Sequence, residues 1–368
     1  MKIHKLALTS ALYASASTVS CSQTINVSNE ISLGDSIAQF VSGASGLDGP
    51  KMDPEINATS FDWWYFDAVS ENNSCAVVIV FYMTTDLGFP FVLPLSTLSV
   101  DIFATFEDGT LVFLPLNDLP LSAGTAKVVT DGDGSSGIWE GTGFEWKGAP
   151  DLSQYVVTID SPLLGITGTL SLNSVAPAHY PCGSNQADQN LEVSPHVGWA
   201  NAVPDANAIA DFTVLGRKLQ FTGPGYHDKN WGDQPFTENV ASWYWGHGRL
   251  GPYSIVWFDV LALDGSEYVS SYAAVNGSII TASCSGIKVR PMGKNSQYPP
   301  VIASGNPQGF HIDLDLGSEG ILEVNVTSNV TLADAILYTR WSGTMSGGVK
   351  GGIVYTGVAL YEEFKFKL

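Results

Sequence analysis

Apolar and polar residues alternate with a period of two along much of this chain. Phe310–Leu316 reads FHIDLDL, a strict alternation of the kind a half-buried strand shows. Cys75–Tyr82 (CAVVIVFY), Gln154–Asp160, Tyr253–Leu263 and Ile321–Leu332 are rich in Val, Ile, Thr and aromatic residues, and each has strand length. Asp108–Gly109 and Asp264–Gly265 are hairpin-turn signals. A short helix is expected only near Ser36–Val41. Many strands parted by frequent turns predict an all-β chain of the sandwich or barrel type.

The pattern repeats. FDWWYFDAVSENNSCAVVIVFY begins at Phe61 and ASWYWGHGRLGPYSIVWFDVLA begins at Ala241. At an ungapped offset of 180 residues, Trp63, Trp64 and Tyr65 fall on Trp243, Tyr244 and Trp245, and one apolar strand falls on another. A duplication is expected, giving two tandem β-barrels of ordinary domain size. Alternation places Trp63, Tyr65, Trp243 and Trp245 on one side of their strands and Trp64, Phe66 and Tyr244 on the other. The Ala-, Asn- and Pro-rich segment Asn201–Asp211 suggests the boundary, with domains at 22–210 and 211–368.

Composition narrows the partners. The 36 acidic residues outnumber 16 basic ones, for a net charge of −20, so nucleic acid and anionic membranes are poor partners. Ten Trp, 14 Tyr and 17 Phe suit either an aromatic core or a cavity for a large apolar ligand. Residues 1–21 read as a secretory signal peptide: two lysines, an apolar run too short to span a bilayer, then small residues. No later run is long enough for a membrane span, and a secretory location is expected. Sequons at Asn26, Asn57, Asn72, Asn276, Asn325 and Asn329 then predict a glycoprotein. Cys21, Cys75, Cys182 and Cys284 form no CxxC, and an oxidising compartment permits one or two disulfides of open connectivity.

GxSxG, HExxH and P-loop signatures are absent from the sequence, no GxGxxG follows a predicted strand, and no metal site is expected. The polar chemistry gathers instead in FTGPGYHDKNWGDQPF, Phe221–Phe236. In a strand, Tyr226, Asp228 and Asn230 share one face and His227, Lys229 and Trp231 the other. Such a segment either lines a site or ties a domain junction together by hydrogen bonds.

Asp62-Trp63-Trp64-Tyr65-Phe66, followed by Gly225-Tyr226-His227-Asp228-Lys229-Asn230-Trp231-Gly232, resembles the superfamily of carotenoid hydratases of the hydroxyneurosporene synthase type and its fungal Diels–Alderase and hetero-Diels–Alderase relatives. The chain departs from that pattern at Asp62, where the superfamily has Glu, and at Lys229, where it has His. The resemblance implies two lipocalin-like antiparallel barrels with a ligand pocket at or near their junction. It implies an enzyme of secondary metabolism that catalyses a [4+2] cycloaddition without a cofactor, joining a terpene alkene or polyene to a reactive diene such as a quinone methide in meroterpenoid formation. An acid-catalysed terpenoid hydratase or isomerase, and a carrier of an apolar metabolite, are the alternatives on the same scaffold. The candidate catalytic residues are Tyr226, His227 and Asp228. The candidate substrate-binding residues are Trp64, Tyr65, Trp231, Trp243, Trp245, Arg340 and Trp341. A guanidinium beside an indole suits an oxygen-rich substrate.

Overall fold

Two large curled antiparallel sheets and one two-stranded ladder make up the described residues. The computed structural model describes residues 22–53, 56–92, 96–115 and 124–367; the expected signal peptide, with Cys21, lies outside them. The main strands are β1 (Gln23–Ser28), β2 (Phe61–Val69), β3 (Ala76–Thr84), β4 (Leu98–Thr105), β5 (Leu111–Pro115), β6 (Thr125–Asp131), β7 (Gly134–Trp139), β8 (Phe144–Gly148), β9 (Gln154–Ser161), β10 (Ile166–Ser174), β11 (Val197–Val214) and β12 (Arg217–Gly232) in the first lobe. The second lobe has β13 (Ser242–Leu250), β14 (Tyr253–Leu261), β15 (Glu267–Val275), β16 (Ser278–Ser283), β17 (Ile287–Met292), β18 (Gly309–Asp315), β19 (Ile321–Ala335), β20 (Tyr338–Val349) and β21 (Tyr355–Lys365). Among the described residues the α-helix is limited to the turn Phe236–Asn239. The segment near Ser36–Val41 is not helical: Ile37–Ala38 pairs with Met52–Asp53 as a short ladder.

Strand order shows the same plan twice. The first sheet runs β1-β6-β7-β8-β9-β10-β11-β12-β2-β3-β4-β5, and the second β16-β15-β14-β13-β21-β20-β19-β18-β17. In each, the lobe's last long strand returns to pair with the strand carrying the aromatic cluster: β12 with β2, and β21 with β13. β3 and β14, the strands matched by the 180-residue offset, flank β2 and β13 on the other side.

The expected boundary at 210/211 falls inside β11. The sheets change over at residues 233–241, so the Tyr226–Trp231 motif closes the first sheet rather than opening the second. The Ala- and Pro-rich segment that resembles a linker is a strand with irregular register between Asn201 and Ala206. A bulge is where a strand tolerates Pro204. Asp205, in the same irregularity, accepts hydrogen bonds from Arg249 Nε and Nη2 on β13 at 2.9 and 2.7 Å and so ties the lobes together.

Three apolar layers result. Trp64, Phe66, Phe81, Trp139 and Trp146 fill the first barrel. Tyr244, Trp257, Phe310, Trp341 and Tyr361 fill the second. Between them lie Trp63, Tyr65, Trp243, Trp245, Phe236 and Phe364. The Cys182–Cys284 disulfide also joins the lobes, and Cys75 has no disulfide partner among the described residues. Five of the sequon asparagines, Asn26, Asn72, Asn276, Asn325 and Asn329, are exposed. Asn57 is half-buried, and its side-chain oxygen accepts from the backbone N–H of Thr59 and Ser60. No described helix is long and apolar enough to cross a membrane.

Candidate active site

A cavity of about 340 Å³ opens in the middle layer. Its size falls at the small end of the range for sites that enclose small molecules. β2 and β13 supply Trp63, Tyr65, Trp243 and Trp245, β3 adds Val80 and Tyr82, and the loop after β3 adds Phe89 and Phe91. Its polar wall holds Asp101 and Phe103 of β4, Asp228 and Asn230 of β12, Tyr338 and Arg340 of β20, and Glu362 and Phe364 of β21.

The strand pleat decides who reaches it. Asp228 lies opposite Tyr65 in the β12/β2 ladder, and Glu362 lies opposite Trp245 in the β21/β13 ladder. The two carboxyl groups therefore hold equivalent places in the two lobes, one on each returning strand. Asp228 Oδ2 accepts from Tyr226 Oη at 2.7 Å and from Trp199 Nε1 at 2.8 Å. Both donors land on Oδ2, and no described hydrogen bond falls on Oδ1. Burial pushes the Asp228 carboxyl up to about 7, although Tyr226, Trp199 and the neighbouring His227 pull it down; Glu362 adds a small upward push. Glu362 Oε2 accepts from Arg340 Nε at 3.2 Å and Nη2 at 2.9 Å, and from Tyr338 Oη at 2.9 Å. Burial opposes the Arg340 charge, but Tyr338, Tyr65 and Glu362 outweigh it and hold the guanidinium well above its ordinary range. Asp101 is also driven up to about 7 by burial, with Arg340 pulling it down.

Behind this wall, His247 Nε2 approaches Asp67 Oδ2 at 2.8 Å, and Tyr65 Oη donates to the same oxygen at 2.8 Å. The His247 ring stacks on Tyr226 at 4.2 Å. Tyr226 is thus held by one lobe's strand and the other lobe's imidazole while it donates to Asp228.

The odd-numbered members of the motif point away from the cavity. His227 is enclosed in the first barrel, stacked on Phe66 at 3.9 Å, with Nδ1 donating to Tyr65 O at 2.9 Å and Nε2 3.0 Å from Asp48 Oδ1. Its place is structural, since a strand cannot turn successive side chains to the same face. Lys229 is ion-paired with Asp62 and lies 4.4 Å over the Trp64 ring. Trp231 donates to Gln39 O at 2.9 Å inside the same barrel. Trp64 and Trp231 therefore pack the first barrel, and Trp341 packs the second; none of the three lines the cavity. Tyr65, Trp243, Trp245, Arg340 and Asp228 do line it, and Tyr226 stands just behind Asp228. His227 and His247 lie on opposite sides of the first sheet, so with Asp228 they form no common metal shell. Asp101, Tyr82, Tyr338 and Glu362 are additional cavity residues. Charged residues set into largely apolar strands, as in LSVDIFAT for Asp101 and ALYEEFK for Glu362, were the available signal.

Two curled lipocalin-like barrels clasping an aromatic cavity, with carboxyl groups set into its wall, define a small-molecule enzyme of the double-barrel class. The family model described as Diels-Alderase-like matches residues 16–290, and the chain belongs to that family, as an enzyme of the cyclase and isomerase type. The chain is similar to the quinolone epoxide rearrangement protein penF of Penicillium thymicola, at 39% identity over 360 residues, 94% of this chain and 96% of that protein. It is also similar to the Diels-Alderase phmD of Phaeosphaeria nodorum, at 27% identity over 256 residues and 68% of each chain. Among solved structures, CghA with Sch210972 superposes with a TM-score of 0.76 at 18% identity, covering 94% of this chain and 99% of that one, a likeness of fold.

Proposed function

We propose that this protein is an acid-assisted isomerase that opens and rearranges an epoxide on an apolar, ring-bearing small molecule bound between its two barrels. The observation that carries the reading is the Asp228 carboxyl: buried at the cavity wall, pushed up to about 7, and gripped through Oδ2 with no described hydrogen bond on Oδ1. A general acid works best with a pKa near the operating pH. The proton passes from the Asp228 carboxyl to the epoxide oxygen as the C–O bond breaks, and that bond's electron pair stays on oxygen as a hydroxyl. The positive charge left on carbon faces the rings of Trp63, Trp243 and Tyr65, where a desolvated cation gains about 2 kcal/mol from an aromatic face. Loss of a proton from the rearranged skeleton to the Asp228 carboxylate restores the acid, so the step is an isomerisation with no net reagent.

The similarity in full length to a quinolone epoxide rearrangement protein supports this substrate chemistry. A [4+2] closure, including the joining of a terpene alkene to a quinone methide, draws support from the relatives called Diels-Alderases and from the opposed aromatic walls. In that reaction Asp228 polarises a carbonyl and orientation carries most of the rate. Asp228→Asn separates the two: it preserves shape and removes the acid. Epoxide isomerisation then falls by about 10²-fold or more, the scale of a lost general acid; a rate within a few fold of wild type, in a folded protein, supports the cycloaddition instead.

A further inference from the structure

Two polar groups on the cavity wall lack a hydrogen-bond partner among the described residues. Arg340 binds Glu362 through Nε and Nη2, while its buried Nη1 has no hydrogen-bond acceptor. Asp101, only 6% exposed, lines the same cavity, and its carboxyl makes no hydrogen bond among the described residues. The guanidinium is enclosed by the Tyr65, Phe103 and Tyr338 rings at 5.0, 5.3 and 5.4 Å, so it cannot swing out to water. Phe103 is two residues from Asp101 on the same face of β4, and the Arg340 charge acts on the Asp101 carboxyl within the same cavity. A buried donor left unpaired carries a desolvation penalty that a ligand removes, and the Asp101 carboxyl on the same lining is available to accept.

The charge balance selects that ligand. The cavity lining holds one guanidinium, which Glu362 already neutralises, and three further carboxyl groups in Asp101, Asp228 and Asp334. A carboxylate or enolate headgroup would meet no free positive charge and three potential negative ones. A neutral group that presents a donor and an acceptor side by side in one plane satisfies both walls at once, and a cis secondary amide has that edge.

We propose that Asp101 and Arg340 form the headgroup subsite of this enzyme and select a planar secondary lactam, with Asp101 accepting the lactam N–H and Arg340 Nη1 donating to its carbonyl. The flanking rings of Tyr65 and Phe103 favour a flat, fused ring system. This rests on the cavity being the substrate site of the proposed isomerase, and it adds which end of the substrate is read and by which residues.

Calorimetric titration with three probes tests it without turnover: 2-quinolone, its N-methyl derivative, and quinoline-2-carboxylate. Wild-type protein is expected to bind 2-quinolone about 10-fold tighter than the N-methyl compound, the scale of one buried hydrogen bond, and to bind the carboxylate weakest. Asp101→Leu should erase the preference for N–H over N-methyl, and Asp101→Asn, which keeps an acceptor, should retain it. Equal binding of the two lactams by wild type, tightest binding of the carboxylate, or a preference that survives Asp101→Leu would overturn the subsite. The wild-type comparison needs no variant to fold. Unchanged turnover in Asp228→Asn would remove the acid chemistry while leaving the lactam preference to be read independently.

Discussion

His247 Nε2 lies 2.8 Å from Asp67 Oδ2, and the two residues are 180 positions apart, the offset of the internal repeat. They are therefore equivalent positions of the two lobes, facing one another across the middle layer. Tyr65 and Trp245, also 180 apart, meet edge to face at 5.2 Å, and Trp63 and Trp243 both line the cavity. The duplicated strand packs against its own copy, so the site is built where the repeat meets itself.

His247→Ala removes a donor from a carboxylate that is wholly buried. Stability should fall by about 1–3 kcal/mol, the cost of a buried polar group left short of a partner. Urea unfolding followed by tryptophan fluorescence measures it, and a loss under 0.5 kcal/mol would mean that this contact does not hold the lobes.

The chain departs from the superfamily pattern at Asp62 and Lys229, and these two side chains are ion-paired with each other inside the first barrel. Burial pushes the Asp62 carboxyl up and the Lys229 amine down, each opposed by the other's charge. Lys229→Met should cost about 3–5 kcal/mol by removing the ion-pair partner of Asp62 and leaving it the Lys51 backbone N–H and charge. Asp62→Glu combined with Lys229→His should recover most of what either single change loses. Additive losses in that double variant would show that the positions are not coupled.

Much of this was legible in the sequence. Alternation separates Trp63, Tyr65, Trp243 and Trp245 from Trp64 and Tyr244, and the same rule splits Asp228 from His227. Which face meets ligand was not legible, because both faces of β2 are buried, one in a barrel and one in the middle layer. That is why Trp64, Trp231 and His227 read like site residues: their chemistry is unusual, yet it is spent on packing the first barrel. Glu362 sits far along the chain from the motifs, and only the return of β21 to β13 makes it the counterpart of Asp228. The strand β11 reads like a linker, since its alanines pack closely and its proline occupies an irregular register.

Asp228 also ties stability to pH. Its folded value of about 7 exceeds the ordinary 3.8, so between those values the folded state binds more protons than the unfolded one. Its contribution is therefore lost as pH rises from about 4 to about 7. Asn carries no such proton, so the stability of Asp228→Asn relative to wild type should rise across that window by roughly 2–4 kcal/mol. Melts at pH 4.5 and 7.5 for both proteins measure the difference; a gap that does not widen with pH would mean that Asp228 is ionised in the fold.

The pH dependence of turnover reaches the chemistry itself. If Asp228 delivers the proton, kcat for epoxide isomerisation is highest below about pH 7 and falls tenfold for each further pH unit, with one proton involved. In Asp228→Asn the residual rate loses that descending limb. A wild-type rate that stays flat from pH 5 to pH 9 would contradict a protonated carboxyl as the acid and leave the cavity acting by shape alone.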